Sequence, residues 1–191
     1  MNKFLEFLNK QKKRITVSLI IIVSILLDQL SKIIVVNNIE YIMQNKPITV
    51  IKGILNITYT ENDGAAFGML DDQRWIFMTV SIIAILGIGT YLLGFCKEGW
   101  LYQIGLALIV GGGIGNMIDR IAYGYVVDML EFAFMDFAVF NVADSFVCIG
   151  AGLVMLMLII ELVKSSKKKD DSKQEEAQNE LKEQAEENDN N

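Results

Sequence analysis

Apolar residues in this chain gather into four long runs separated by polar joints. The first begins at Ile15 and continues, with interruptions, to Val36. The second runs from Trp75 to Cys96 and carries no charge. A tight turn at Lys97, Glu98 and Gly99 leads to the third, residues 100–120, and the fourth occupies about residues 140–163. Crossing the hydrocarbon of a bilayer takes about 20 residues of helix, so each run predicts one membrane-spanning helix. Trp75 opens the second run at the position of an interfacial anchor.

The joints have their own patterns. After Pro47, the only proline, the segment ITVIKGILNITYT is rich in β-branched residues, and Gly53 suits a turn between two short strands. The pattern therefore predicts an all-α membrane protein with four transmembrane helices and a small extracytoplasmic β-rich loop between spans 1 and 2. The following ENDGAAFGML has small residues that let the backbone run close to a neighbour. In the third run, GGGIGN resembles a phosphate loop in composition only. No strand precedes it and no GK[ST] follows, so close helix packing is the expected role. The third helix should break near Gly124, and EFAFMDFAVF reads as an aromatic, interfacial segment before the fourth span.

Charge fixes the expected orientation. Lys10, Lys12, Lys13 and Arg14 precede the first run, and Lys164, Lys167, Lys168 and Lys169 follow the fourth. Basic flanks lie in the cytoplasm, which puts both termini there and turns the 37–74 and 119–139 joints outward. No small-x-small site follows the first run, so it is expected to be retained and not cleaved as a signal peptide. The chain divides into a basic N-terminus (1–14), a four-span unit (15–163) and a charged tail (164–191) expected to be disordered or at most a frayed helix. Much of the acid sits in that tail, so the net charge of −6 says little about partners, and no nucleic-acid partner is expected.

Against this apolar background, Asp28, Lys32, Asp119, Arg120, Asp128 and Asp144 stand out. Charges at hydrocarbon depth are unfavourable and usually mark a function. Asp28 and Lys32 have the i, i+4 spacing of a pair on one helix face, and Lys32 can snorkel outward. Counted at 1.5 Å per residue, Asp144 and Asp119 lie about 24 Å and about 27 Å from the cytoplasmic face, just below the outer surface. Asp128, after a reversal at Gly124, can come back towards Asp144. A catalytic carboxylate pair is one reading. Pairing with Arg120 or capping of a helix is the other. The chain has no histidine, which excludes Ser/His/Asp and Cys/His catalysis and most zinc sites. Cys96 and Cys148 lie in apolar surroundings without a CxxC, so buried, reduced thiols are expected. A proton-coupled transporter also places acids in a bundle, but four spans without an internal repeat offer little for alternating access. Adjacent residues on a helix do not face each other, which argues against Ser31 and Lys32 as a Ser/Lys pair.

Five segments in order, LDQLSK (27–32), NDGAAFG (62–68), GNMIDR (115–120), VVDM (126–129) and FNVADS (140–145), resemble those of the lipoprotein signal peptidases, or signal peptidase II. The resemblance implies a bacterial cytoplasmic-membrane aspartyl endopeptidase. It implies Asp128 and Asp144 as the catalytic pair, and Asn62, Asn116, Arg120 and Asn141 as substrate-pocket residues. The implied substrate is a prolipoprotein whose cysteine already carries a diacylglyceryl group, cleaved just before that cysteine. No metal or cofactor is implied. Membrane lipid is the expected surrounding partner, and the chain is expected to act as a monomer, with its site near the outer surface.

Overall fold

The structure, a computed structural model, describes residues 2–44, 47–64 and 74–189. The Ala65–Gly68 part of the NDGAAFG segment lies outside the described residues. The chain divides into two compact units, Met1–Leu153 and Val154–Asn191. The first holds α1 (Asn2–Asn37), α2 (Ile39–Gln44), β1 (Ile48–Ile51), β2 (Leu55–Asn62), α3 (Arg74–Gly94), α4 (Trp100–Ala122) and β3 (Val126–Phe132). It also holds the first turns of α5 (Val142–Asp189).

Among the described residues, three helical stretches are long and apolar enough to cross a membrane: Gln11–Asn37, Trp100–Ala122 and Val142–Lys169. The apolar stretch of α3, Met78–Gly94, is shorter. Large side chains such as Leu26, Ile34, Ile83 and Leu156 point outward, as expected of surfaces solvated by lipid.

The glycine run of α4 lets its neighbours approach. A Cβ on Gly111 would lie 2.7 Å from the Ser24 Cβ of α1, and one on Gly115 would lie 2.5 Å from Asp28 Oδ2. On Gly112 it would run into the Ala143 carbonyl of α5, and on Gly113 it would crowd Ile85 of α3 at 3.1 Å. One glycine-rich stretch thus meets three helices, which is the packing role expected of GGGIGN.

The all-α expectation needs correcting. β1, β2 and β3 form one antiparallel sheet in that order, and its third strand comes from the joint between α4 and α5, not from the loop after α1. Gly53, at φ 73°, makes the turn between β1 and β2, and Gly124, at φ 92°, makes the reversal from α4 into β3. β3 pairs with β2 so that Thr60 faces Asp128 and Asn62 faces Val126. Alternation along β3 sends Val127 and Met129 into a cluster with Val35 and Ile42, against which Ile57 and Tyr59 pack. Asp128, between them, points to the opposite side.

α5 continues as helix to Asp189, in the stretch expected to be disordered or at most a frayed helix. The tail has few apolar residues, Ala177, Leu181 and Ala185, but Lys, Glu and Gln, good helix formers, make up much of it, so local propensity favours the helix. Both cysteines are free, but only Cys96 is partly buried. Cys148 is exposed, contrary to the burial expected of it.

Candidate active site

Asn141 immediately precedes α5 and sets the geometry around its first turn. Its side-chain Oδ1 accepts from the Asp144 backbone N–H (2.8 Å), while Asp144 Oδ2 accepts from the Asn141 N–H (3.2 Å). This reciprocal pair satisfies two helix N-terminal donors as a capping box does. The capping alternative therefore holds for Asp144. It does not exhaust that residue, because Asp144 Oδ1 also accepts from Asn116 Nδ2 of α4 at 2.7 Å.

Asp128 is brought to the same place from the sheet. Its Oδ1 accepts from Asn141 Nδ2 at 2.7 Å and its Oδ2 accepts from Asn62 Nδ2 at 2.8 Å. Asn62 is itself held in orientation, since its Oδ1 accepts from the Gly64 N–H at 3.1 Å. Asn141 thus bridges the two carboxylates, donating to Asp128 from its side-chain amide and to Asp144 from its backbone N–H, while its amide oxygen accepts from the Asp144 backbone N–H. All four carboxylate oxygens receive an N–H.

Burial pushes the Asp128 carboxyl up to about 6, with the Asp144 charge adding to the rise against the lowering donors Asn62 and Asn141. Because the folded value lies above the unfolded one, the fold binds this proton more tightly than the open chain does. Stability from this residue is present at low pH and lost as pH rises through about 6. Acidification from about pH 8 to about pH 5 should therefore stabilise the wild type relative to Asp128→Asn by about 1.5 kcal/mol, with the full effect of about 3 kcal/mol reached only below about pH 4. Thermal unfolding of both proteins in detergent measures the difference, and parallel pH profiles would refute it.

A third group of charges lies behind the two acids. Lys32, expected to snorkel outward, is 3% exposed and does not do so. Its Nζ meets Asp28 Oδ2 at 2.9 Å, as the i, i+4 spacing predicted, and Asp119 Oδ2 at 2.8 Å. The second carboxylate comes from α4, across a pairing that local sequence does not show, and it removes the need for water. Asp119 also accepts from the Val127 N–H (3.2 Å) and from Gln29 Nε2 (3.0 Å), so it ties β3 and α1 to the end of α4. Asp28 Oδ1 accepts from the Ala143 N–H at 2.9 Å and so holds the start of α5. Gln29 was not singled out from the sequence. Its place beside Asp28 in LDQLSK was the only available signal.

Arg120 is half-buried and within electrostatic reach of Asp144, Asp128 and Asp119. Among the described residues it forms no direct ion pair, so the alternative in which it neutralises either acid by pairing does not hold. The structure therefore brings Asn62, Asn116, Asp128, Asn141 and Asp144 into one hydrogen-bonded group, with Arg120 beside it.

The family Peptidase_A8, Signal peptidase (SPase) II, matches residues 20–160. Proteins named lipoprotein signal peptidase from Streptococcus pyogenes serotypes M2 and M1 are each 44% identical over 149 residues, covering 77% of this chain and 94% of the relative. A bacterial membrane enzyme solved by the in meso method at 2.3 Å resolution superposes with a TM-score of 0.67 at 31% identity, over 79% of this chain and 89% of that one. A second such structure, at 1.9 Å resolution, gives a TM-score of 0.63 at 30% identity, over 75% of this chain and 92% of that one. With the family match spanning residues 20–160 and relatives 44% identical over 77% of the chain, the chain belongs to the signal peptidase II family.

Proposed function

We propose that this protein is a membrane aspartic endopeptidase that removes the signal peptide from diacylglyceryl-modified prolipoproteins, cutting just before the lipidated cysteine. The observation that carries the reading is the bridging of Asp128 and Asp144 by Asn141. In this reading the two carboxylates share one proton, because like charges brought together repel. The ionised member takes a proton from a water as that water attacks the scissile carbonyl. The protonated member polarises the carbonyl oxygen and then protonates the leaving amine.

The lining of the substrate pocket is assigned to Asn62, Asn116, Arg120 and Asn141, the three asparagines also holding the acids. Arg120 offers a planar fork of donors beside three carboxylates. Lysine, a point charge, is a poor substitute for such a fork. Arg120→Lys should therefore lower kcat/KM by about tenfold or more. Full activity in that variant, measured at equal protein level, would remove geometry as the reason for arginine.

In the membrane, the reading has four spans, with α3 as the second: its 21 residues amount to about 32 Å of helix. Both termini lie in the cytoplasm, and the sheet and the two acids lie near the outer surface of a bacterial cytoplasmic membrane. The scissile bond of a lipid-bearing signal peptide is presented at that depth. The peptidase unit is 15–163, it works as a monomer, and 164–191 is a cytoplasmic tail. The transporter alternative has no support from the relatives.

The test is cleavage of a diacylglyceryl-modified prolipoprotein by the purified protein in detergent, with product masses determined. The expected products are the intact signal peptide and a mature chain beginning at the lipidated cysteine. Cleavage elsewhere, or none, would overturn the assignment.

A further inference from the structure

The Lys32 ammonium has three N–H donors and no acceptor, and each donor has a distinct target. Two are the carboxylates of Asp28 and Asp119, at 2.9 and 2.8 Å. The third is Asn116 Oδ1, at 3.0 Å. Asn116 Oδ1 also accepts from Asn141 Nδ2 at 2.9 Å, so two donors converge on that one oxygen. A reversed amide would turn its NH2 group against both, which the buried site disfavours. The amide is therefore locked with Nδ2 towards Asp144 Oδ1, 2.7 Å away.

We propose that Lys32 is a positioning residue for the cleavage reaction: by fixing the orientation of Asn116, it keeps an N–H donor on Asp144 and keeps that carboxylate oxygen an acceptor. The inference rests on the proposed catalytic role of Asp144 and adds to it a part for the charges behind the acids. Asp28 and Asp119 hold the ammonium in place, Asn116 carries its influence across to α5, and Asp144 receives it. Without Lys32, Asn116 is free to rotate and present its oxygen to Asp144, which favours the wrong hydrogen-bonding state of the acid. A merely structural Lys32 would instead act through the packing of α1 on α4, lowering stability and all kinetic constants together.

Removing Lys32 alone leaves two buried carboxylates facing each other, so the test uses Asp119→Asn as its background. In that background Lys32→Met, Asn116→Ala and their combination are compared for kcat, KM and thermal midpoint on a diacylglyceryl-modified prolipoprotein. Each single change is expected to lower kcat about tenfold or more, in Lys32→Met with KM within about threefold, and the combination is expected to be no more than about twofold worse in kcat than either, since both break one relay. Losses in kcat that multiply, a KM that moves with kcat in Lys32→Met, or a Lys32→Met protein that keeps its turnover would overturn the proposal. A Lys32→Met protein that fails to fold would assign the residue to the bundle and also overturn it. Asn116→Ala in the otherwise unaltered protein, with the ion triad whole, gives an independent reading: undiminished kcat there refutes the relay. Asp144→Asn is assayed alongside, because activity in that variant would mean the catalytic reading had failed and not the relay alone.

Discussion

Asp144→Asn is expected to lower turnover of a lipid-modified prolipoprotein by about a thousandfold or more, and Asp128→Asn to do the same. Asparagine matches aspartate in size and keeps part of its hydrogen bonding, so the Asn141 bridge should survive in outline. It cannot exchange a proton, and the proposed chemistry needs one acid to take a proton while the other gives one. Asp119 is the control. It is as deeply buried as Asp128, at 1% against 2% exposed, but it faces Lys32, Gln29 and the Val127 N–H and not the pair. Asp119→Asn should lower the thermal midpoint and leave measurable turnover in protein that folds. Turnover lost to the same degree in all three would mean that burial, not chemistry, sets the effect.

The second large effect concerns the fold. Gly112→Val is expected to destabilise the protein by about 3 kcal/mol or more, or to prevent folding. Even its Cβ would collide with the Ala143 carbonyl and would lie 2.9 Å from Val147 Cγ2, on the turn of α5 that carries Asn141 and Asp144. The obstacle is backbone, which cannot rotate away as a side chain could. Any relief must move α5 relative to α4 and thereby pull Asp144 from Asn116. Gly89 provides the contrast, because a Cβ there meets nothing within 4 Å. Gly89→Ala should be neutral or slightly stabilising, by up to about 1 kcal/mol from helix propensity. Thermal unfolding of the two variants in detergent decides the matter; equal midpoints would contradict the packing argument.

What could be read from the sequence was mainly what is local. Uncharged runs gave α3 and α4 to within about two residues, and Gly53 and Gly124 gave the two reversals. The i, i+4 spacing gave the Asp28–Lys32 pair. Long-range partners were not legible in the same way. VVDMLEF drew attention for its acid and its aromatic flank, and nothing within it shows that β2 lies alongside, with Asn62 opposite Val126. Lys32 was expected to seek water because the Asp119 that satisfies it lies 87 positions further along. The asparagines were assigned to a substrate pocket by resemblance, whereas their bonding to the two carboxylates needed the structure. In the tail, low apolar content and high helix propensity point opposite ways, and the sequence alone does not rank them.

The central claim is that Asp128 and Asp144 act as one catalytic unit. It is tested most directly by turnover and substrate affinity of both single asparagine variants and the double variant, on a diacylglyceryl-modified prolipoprotein in detergent. The account predicts near-complete loss of turnover in each single variant, a double variant scarcely worse than either, and substrate affinity within a few-fold of wild type throughout. Substantial cleavage by either single variant would contradict it, as would affinity that falls in step with turnover.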